Sequence, residues 1–307
     1  MKFLVTGGAG FLGAALANQL VRDGHDVIVL DDLSKGRQEY LETAVTFHHG
    51  DVDSIPLLWS LLQDVDCVYH LAARVSVAQS ILHPRDYNRV NVGGTVSLME
   101  AMRDTGVSRV IFTSSGAIYG HQPQQPVHED DRPHPDSPYA VSKWAAEQYI
   151  HTIGHLWQIE TVALRIFNAY GPRQNLPVSH APVVPRFLQQ ALTGGSIVIF
   201  GDGAQTRDFV YVDDVVSALV TAANAKNVNR QVINIGSGVE TSVDRLVDEI
   251  EKINGRSAKR IYNQEKTGGV SRLVADISRA QTLLGFRPQI TLASGLQRIR
   301  AQDSRFQ

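Results

Sequence analysis

The sequence predicts an α/β protein: a doubly wound parallel sheet with helices on both faces, joined to a smaller, interwoven α/β lobe. Three observations carry that prediction. Short apolar runs alternate with stretches of helical periodicity through roughly the first 170 residues. The opening stretch, Met1 to Asp32, reads strand, glycine turn, helix, strand, acid. The composition is that of an ordinary globular chain of 307 residues, 43% hydrophobic and 20% charged. A net charge of −2 gives no sign of a surface built for nucleic acid or for an anionic membrane.

The elements follow in order. Phe3-Leu4-Val5 is the centre of a buried strand over Lys2 to Thr6. Gly7, Gly10 and Gly13 come next in the spacing G-x-x-G-x-x-G. Ala14, Ala15, Leu16, Ala17 and Leu20 then fall on a helix closed by Gly24, and Val27 to Leu30 is a second strand ending in Asp31 and Asp32. This is the order of a Rossmann-type dinucleotide-binding unit. Glycine lets the backbone turn tightly and approach a pyrophosphate, and the helix N-terminus offers that anion N–H groups and a positive dipole end. A carboxylate after the second strand accepts from both ribose hydroxyls and repels a 2′-phosphate, which favours NAD over NADP. A glycine triplet alone marks only a tight turn; the flanking strand, helix and acid make it a cofactor site.

Val45-Thr46-Phe47 ends a third strand, and Asp53 or Ser54 caps a helix over Ile55 to Leu62. Cys67 to Leu71 is a fourth strand, ending His70-Leu71-Ala72-Ala73, whose small residues admit a cofactor. Asn88 to Arg103 carries Val92, Val96, Met99 and Met102 at helical spacing. Arg109 to Thr113 is a fifth strand with Ser114-Ser115-Gly116 at its carboxyl end. A polar, proline-rich loop spans 121–138, and Pro138 starts a helix from Tyr139 to about Gly154. Thr161 to Phe167 is a sixth strand. Asn168 to Pro185 reads as loop, Arg186 to Leu192 as a short helix, Ile197 to Phe200 as a strand and Gly201 to Arg207 as a turn. Asp208 to Val212 and Val232 to Ile235 read as strands, Val243 to Asn254 and Ser278 to Leu284 as helices, and Leu292 to Arg300 as an amphipathic stretch. No repeat or low-complexity linker separates two units. The expected division is therefore 1–170 with about 208–238 for the dinucleotide, and about 171–207 with 239–307 for substrate. Loops of both meet over the carboxyl ends of the strands, where open α/β sheets bind ligands.

A single cysteine, Cys67, excludes an internal disulfide and any cysteine-cluster metal site, and reads as a buried strand residue. The histidines are scattered; His48-His49 reads as a solvated strand end, and no metal is expected. The first strand begins without a cationic leader, and no apolar run is long enough to span a bilayer, so the expected location is cytoplasmic.

Chemistry concentrates at Tyr139 and Lys143, which form Y-x-x-x-K on one helix face. Taken alone, that spacing is equally that of a surface pair. Here it follows a dinucleotide unit and a serine, Ser115, at the end of the fifth strand. A tyrosine has an ordinary pKa near 10, and a neighbouring ammonium stabilises its phenolate. Lys143 also suits the nicotinamide ribose, and Ser115 suits a substrate hydroxyl beside the tyrosine. The three make a tyrosine-based alcohol oxidation site with hydride going to NAD.

Further motifs extend the pattern: Thr6-Gly7-Gly8-Ala9-Gly10-Phe11-Leu12-Gly13, Asp51-Val52, His70-Leu71-Ala72-Ala73, Asn91-Val92-Gly93-Gly94-Thr95, Ser114-Ser115-Gly116-Ala117-Ile118-Tyr119-Gly120, Arg165-Ile166-Phe167-Asn168-Ala169-Tyr170-Gly171-Pro172-Arg173-Gln174 and Arg207-Asp208-Phe209-Val210-Tyr211-Val212-Asp213-Asp214. In this order, with Tyr139 and Lys143, they resemble the extended short-chain dehydrogenase/reductases of the NAD-dependent epimerase/dehydratase family over essentially the full chain, the UDP-hexose 4-epimerase branch most of all. The resemblance implies that Phe11 and Leu12 contact the pyrophosphate, Asp31 and Asp32 the adenosine ribose, and Asp51 and Val52 the adenine. It implies that Leu71, Ala72 and Ala73 line the cofactor, with Asn91 beside it and Phe167 near the nicotinamide. Asn168 and Arg207 resemble residues that hold the diphosphate of a nucleotide sugar, a task suited to a bidentate guanidinium. Arg272, four residues before Asp276, resembles a second phosphate arginine, although Gly268-Gly269 stands where the family has Gly-Asp. A homodimer through the helices Asn88 to Arg103 and Tyr139 to Gly154 is implied as well.

Related dehydratases carry an Asp-Glu pair just after the serine, and decarboxylases a Glu; this chain has Gly116 and Ala117. Elimination at C5 and C6 therefore lacks its acid and base, whereas epimerisation at C4 needs only Tyr139, Ser115, Lys143 and NAD. The expected substrate is a UDP-linked sugar: glucose, N-acetylglucosamine or a uronic acid. Arg74 and Arg173 are candidate carboxylate partners, or equally cofactor or surface contacts; Ser76 is a candidate sugar contact, and Ser179-His180-Ala181-Pro182 is expected to shape the pocket. A nucleotide-sugar reductase or dehydrogenase remains the rival enzyme, and an inactive NAD-binding regulator the rival outside catalysis.

Overall fold

The computed structural model describes residues 1–177, 181–265 and 269–307; Ser179, His180 and Gly268 lie outside them. Among these residues the first half comprises β1 (Lys2–Thr6), α1 (Phe11–Arg22), β2 (Asp26–Asp31), β3 (Thr46–His49), α2 (Ile55–Leu61), β4 (Cys67–His70), α3 (Val77–Leu82) and α4 (Pro84–Tyr87). A π-helical turn (Asn88–Gly93) then runs into α5 (Gly94–Thr105), followed by β5 (Arg109–Ser115) and α6 (Pro138–Trp157). The second half comprises β6 (Glu160–Ile166), β7 (Asn168–Tyr170), α7 (Val183–Leu192), β8 (Ile197–Phe200), β9 (Thr206–Tyr211), α8 (Val212–Asn224), β10 (Gln231–Ile235), β11 (Glu240–Ser242), α9 (Val243–Asn254), β12 (Arg260–Asn263), α10 (Ser278–Leu284) and α11 (Leu292–Gln302).

Seven strands form one sheet in the order β3-β2-β1-β4-β5-β6-β10, every neighbouring pair parallel. Side chains of a strand point alternately to the two faces. Phe3, Val5, Cys67 and Tyr69 accordingly enter one core with α1 and α8, while Leu4 and Val68 enter the other with α2, α5 and α6. The chain leaves β1 in one direction through β2 and β3, and in the other through β4 to β6. The crevice between the ends of β1 and β4 is the switch point where such sheets take ligands.

Two small sheets build the second lobe. β9 pairs in parallel with β7 and antiparallel with β11, and β8 pairs in parallel with β12. The core that packs α1 against the large sheet continues without a break to Phe187 and Leu188 of α7, Leu246 and Ile250 of α9 and Leu296 and Ile299 of α11.

The structure corrects several sequence expectations. Asn168 to Tyr170 is strand, not loop, because it pairs with Phe209 to Tyr211, about forty residues away. The expected Gly201–Arg207 turn ends early, at Thr206, where β9 begins. α8 went unread: its valines favour strand, yet they pack one helix face, with Asp213 and Asp214 in the first turn. The expected Asn88–Arg103 helix opens into a wider turn at Asn88–Gly93 before continuing. Neither Asp53 nor Ser54 caps α2 through its side chain; Ser54 holds the cap position without a bond, and Asp53 accepts from Ser97 at 2.8 Å.

Candidate active site

The glycine turn is cut to fit a ligand. Gly7 lies in the left-handed region at φ +70°, and a Cβ there would sit 2.6 Å from the backbone nitrogen of Ala72. A Cβ on Gly13 would collide with the Gly7 carbonyl. α1 begins at Phe11 with Gly10 as its cap, no side-chain cap bond and no acid in its first turn, which leaves its terminal N–H groups to an anion. At the end of β2, Asp31 is buried; its Oδ2 accepts from the Ala9 N–H at 2.9 Å and its Oδ1 from the Leu33 N–H at 2.8 Å. Burial raises its pKa against those two bonds. Asp32 is exposed and accepts from the Ser34 N–H and hydroxyl. Asp51 pairs with Arg89 at 2.9 Å, and buried Val52 fills the space beside Gly94. A backbone cradle, an uncapped helix start and carboxylates at the end of β2 together fit a dinucleotide.

Behind this cradle lies a chain of buried hydrogen bonds. Ala72 N–H donates to Thr6 Oγ1 at 3.3 Å, and Thr6 Oγ1 lies 2.7 Å from His70 Nδ1. His70 Nε2 lies 2.8 Å from Thr95 Oγ1, which donates to the Asn91 carbonyl at 2.7 Å. These partners assign the neutral, Nε2-protonated tautomer, and burial holds the His70 pKa down to about 3. Asn91 is buried in the π-turn, and its carboxamide is engaged on three sides. It accepts from Arg74 N–H at 2.8 Å, and donates to the Arg74 carbonyl at 3.0 Å and to Ser142 Oγ at 2.9 Å. Ser142 in turn donates to the Tyr139 carbonyl at 2.8 Å. Asn91 thus ties the loop after β4 to the helix that carries Tyr139.

The structure brings Tyr139 and Ser115 together, with Lys143 one turn further along α6. Ser137 caps α6, accepting from Ala140 N–H at 3.2 Å, and Pro138 starts it, which fixes Tyr139 in its first turn. The Tyr139 phenol, half-buried, has the Ser115 hydroxyl as hydrogen-bond partner, and Ser115 Oγ also accepts from Ala117 N–H at 3.2 Å. Burial leads in setting the Tyr139 pKa and raises it; the bond to Ser115 opposes. Lys143 is not among the groups that shift it; the Lys143 ammonium lies over the Phe112 ring, 4.2 Å from its centroid. Burial pulls Lys143 down to about 7, and Glu147 opposes. Tyr87 stands edge-on to Tyr139 at 6.4 Å and donates its hydroxyl to the Ser76 carbonyl at 2.7 Å. Gly116 faces Phe167: a Cβ there would lie 3.2 Å from the ring.

The second lobe supplies cations. The backbone bonds Thr206 N–H to Ser271 carbonyl and Asp208 N–H to Leu273 carbonyl set Arg207 and Arg272 side by side on adjacent segments. Arg207 is pushed down by burial, with Asp136 opposing. Arg272 is exposed and forms a bidentate pair with Glu240, at 2.7 and 2.8 Å. That pair holds Glu240 down to about 2. Asn168 opens β7, beside Phe209. Ser76 Oγ is occupied in capping α3. Arg74 keeps a buried Nε without a bond, whereas Arg173 points the other way, over Tyr40 at 5.2 Å, with its N–H on Asp303.

Sequence reading missed the groups that hold this arrangement: His70 with Thr6 and Thr95, Ser142, Tyr87, and the buried pair Glu147–Arg165. For the last a signal existed. Tyr139, Lys143 and Glu147 repeat at four-residue spacing on the buried face of one helix.

A family model described as the NAD dependent epimerase/dehydratase family matches residues 3–236. A UDP-glucose 4-epimerase of Mycolicibacterium smegmatis is 41% identical over 303 residues, covering 96% of each chain. The crystal structure of a UDP-glucose 4-epimerase from Thermotoga maritima, with UDP-glucose, matches at TM-score 0.93 and 36% identity over 97% of each chain. A UDP-glucuronic acid 4-epimerase from Bacillus cereus, in complex with UDP-glucuronic acid and NAD, matches at TM-score 0.89 and 35% identity, covering 98% of this chain and 99% of its own.

Proposed function

This chain belongs to the NAD-dependent epimerase/dehydratase family, and from that premise we propose that it inverts C4 of a UDP-linked sugar through a transient 4-keto intermediate. One observation carries the reading: Tyr139 and Ser115 meet at the end of β5, and the residues that follow, Gly116 and Ala117, bring neither an acid nor a base for elimination. NAD, when bound, supplies reversible oxidation at C4. The protein residues do the rest. Tyr139 takes the proton of the 4-hydroxyl and Ser115 holds the same oxygen. Lys143 holds the nicotinamide ribose. Asn168, Arg207 and Arg272 grip the diphosphate, Arg272 exchanging Glu240 for phosphate oxygens. The keto sugar, held chiefly through its phosphates, turns to present its other face, and Tyr139 returns the proton.

The assignments read from the sequence are retained within this proposal. Gly7, Gly10, Phe11, Leu12 and Gly13 take the pyrophosphate, Asp31 and Asp32 the adenosine ribose, and Asp51 and Val52 the adenine. Leu71, Ala72, Ala73 and Phe167 line the cofactor, and Ser76 faces the sugar. Asn91 lies beside the cofactor, held by its bonds to Arg74 and Ser142. Residues 1–170 with about 208–238 form the cofactor-binding part, about 171–207 with 239–307 the substrate-binding part, and two copies associate through α5 and α6.

The deciding experiment incubates the purified protein with UDP-glucose, UDP-N-acetylglucosamine and UDP-glucuronate and resolves the 4-epimers by NMR. Epimer formation without net NADH change is expected. Stoichiometric cofactor consumption would convert the reading to a dehydrogenase, and no product from any of the three would remove it.

A further inference from the structure

α6 buries a polar stripe: Tyr139, Lys143, Glu147 and His151 succeed one another every four residues along one face. Glu147 is fully buried, at 0% exposure, and its carboxylate accepts three bonds. Oε1 takes Arg165 Nη2 at 2.7 Å; Oε2 takes Arg165 Nε at 3.1 Å and the Ser114 hydroxyl at 2.6 Å. Arg165 belongs to β6, and Ser114 is the residue before Ser115 on β5. One carboxylate therefore fastens the helix bearing Tyr139 and Lys143 to the strand bearing Ser115. Stability alone does not call for such a group, since apolar residues of similar volume often replace a buried ion pair at no cost.

We propose that Glu147 is a positioning residue of the catalytic centre: its carboxylate locks the Tyr139–Lys143 helix to the Ser114–Ser115 strand and is the counter-charge, one turn along α6, that Lys143 faces. This rests on the roles given above to Tyr139, Lys143 and Ser115. The groups facing the pair come from every packed element. Around Lys143, α6 contributes Glu147, β4 contributes His70, and β5 contributes the Phe112 ring. Around Glu147, β6 contributes Arg165, β5 contributes Ser114, and α6 contributes His151. Tyr119, in the turn after β5, accepts from Arg165 Nη1 at 2.8 Å and steers that guanidinium from behind. His70 stays neutral, so Glu147 is the anion that Lys143 faces among the described residues. The Phe112 face adds a cation–π contact but no charge to match.

Lysine-Nε NMR titration of the NAD-loaded protein reads Lys143 directly and needs no substrate, so its outcome is independent of the UDP-sugar reading. Glu147→Gln removes the anion and leaves Arg165 an unpaired cation. The Lys143 midpoint is expected to fall by about one pH unit or more, and the alkaline limb of the kcat–pH profile to move down with it. The double variant Glu147→Gln/Arg165→Met removes both charges and is the better tolerated replacement; its Lys143 midpoint falls too. An unmoved midpoint in either folded variant, with kcat lowered equally at every pH, would overturn the proposal and leave Glu147 a packing residue.

Discussion

The Tyr139 phenol meets Ser115 and is the proton acceptor of the proposed reaction, so its removal is expected to separate chemistry from binding. Tyr139→Phe keeps the ring against Tyr87 and deletes the acid–base oxygen. kcat is expected to fall by roughly 10²–10⁴-fold, with NAD retained in the purified protein as read by its absorbance on denaturation. His70 carries a second prediction. The unfolded chain takes a proton at His70 below about pH 6.5, but the folded chain does so only near pH 3. The unfolded state thus binds more protons across that window, and stability falls as pH drops. Urea unfolding between pH 6.5 and 4.5 should lose up to about 1.4 kcal/mol per pH unit from this residue; His70→Gln should flatten that slope. Tyr139, Lys143 and Ser115 were legible in the sequence because a four-residue spacing and a strand end are local signals. Glu147 with Arg165 and Asn91 with Ser142 were not, because their partners lie 18 and 51 residues away and meet only once the sheet has formed.

At the scale of the element, the glycine turn and the start of α6 are the most exacting pieces. Gly13→Ala places a methyl group against the Gly7 carbonyl, and the turn must open. NAD affinity is expected to drop at least about tenfold, or 1.4 kcal/mol, by fluorescence titration of the stripped protein. Ser137→Ala removes the cap of α6 and is expected to cost about 1 kcal/mol by chemical denaturation. It should lower kcat as well, because Tyr139 sits in the turn that frays. β1, β8, α9 and α10 have the bounds that their apolar periodicity gives. β7, β11 and β12 are three or four residues long and owe their strand form to distant partners, so no local pattern announces them. The valine-rich α8 is the opposite case: a helix whose local preference is overruled by packing on α1.

For the whole molecule, α6 leaves Val141, Tyr149 and Leu156 at 49%, 48% and 69% exposure, an apolar line along the face away from the sheet. Light scattering should give twice the chain mass, and Tyr149→Glu with Leu156→Glu should halve it. The continuous core has a consequence of a different kind. One oily seam runs from Phe3 in β1 of the large sheet to Ile299 in α11 of the second lobe. The two lobes are therefore expected to melt together, in one calorimetric transition. A cavity cut as far off as Leu246 or Leu296 is therefore expected to register at the opposite pole as lost cofactor occupancy.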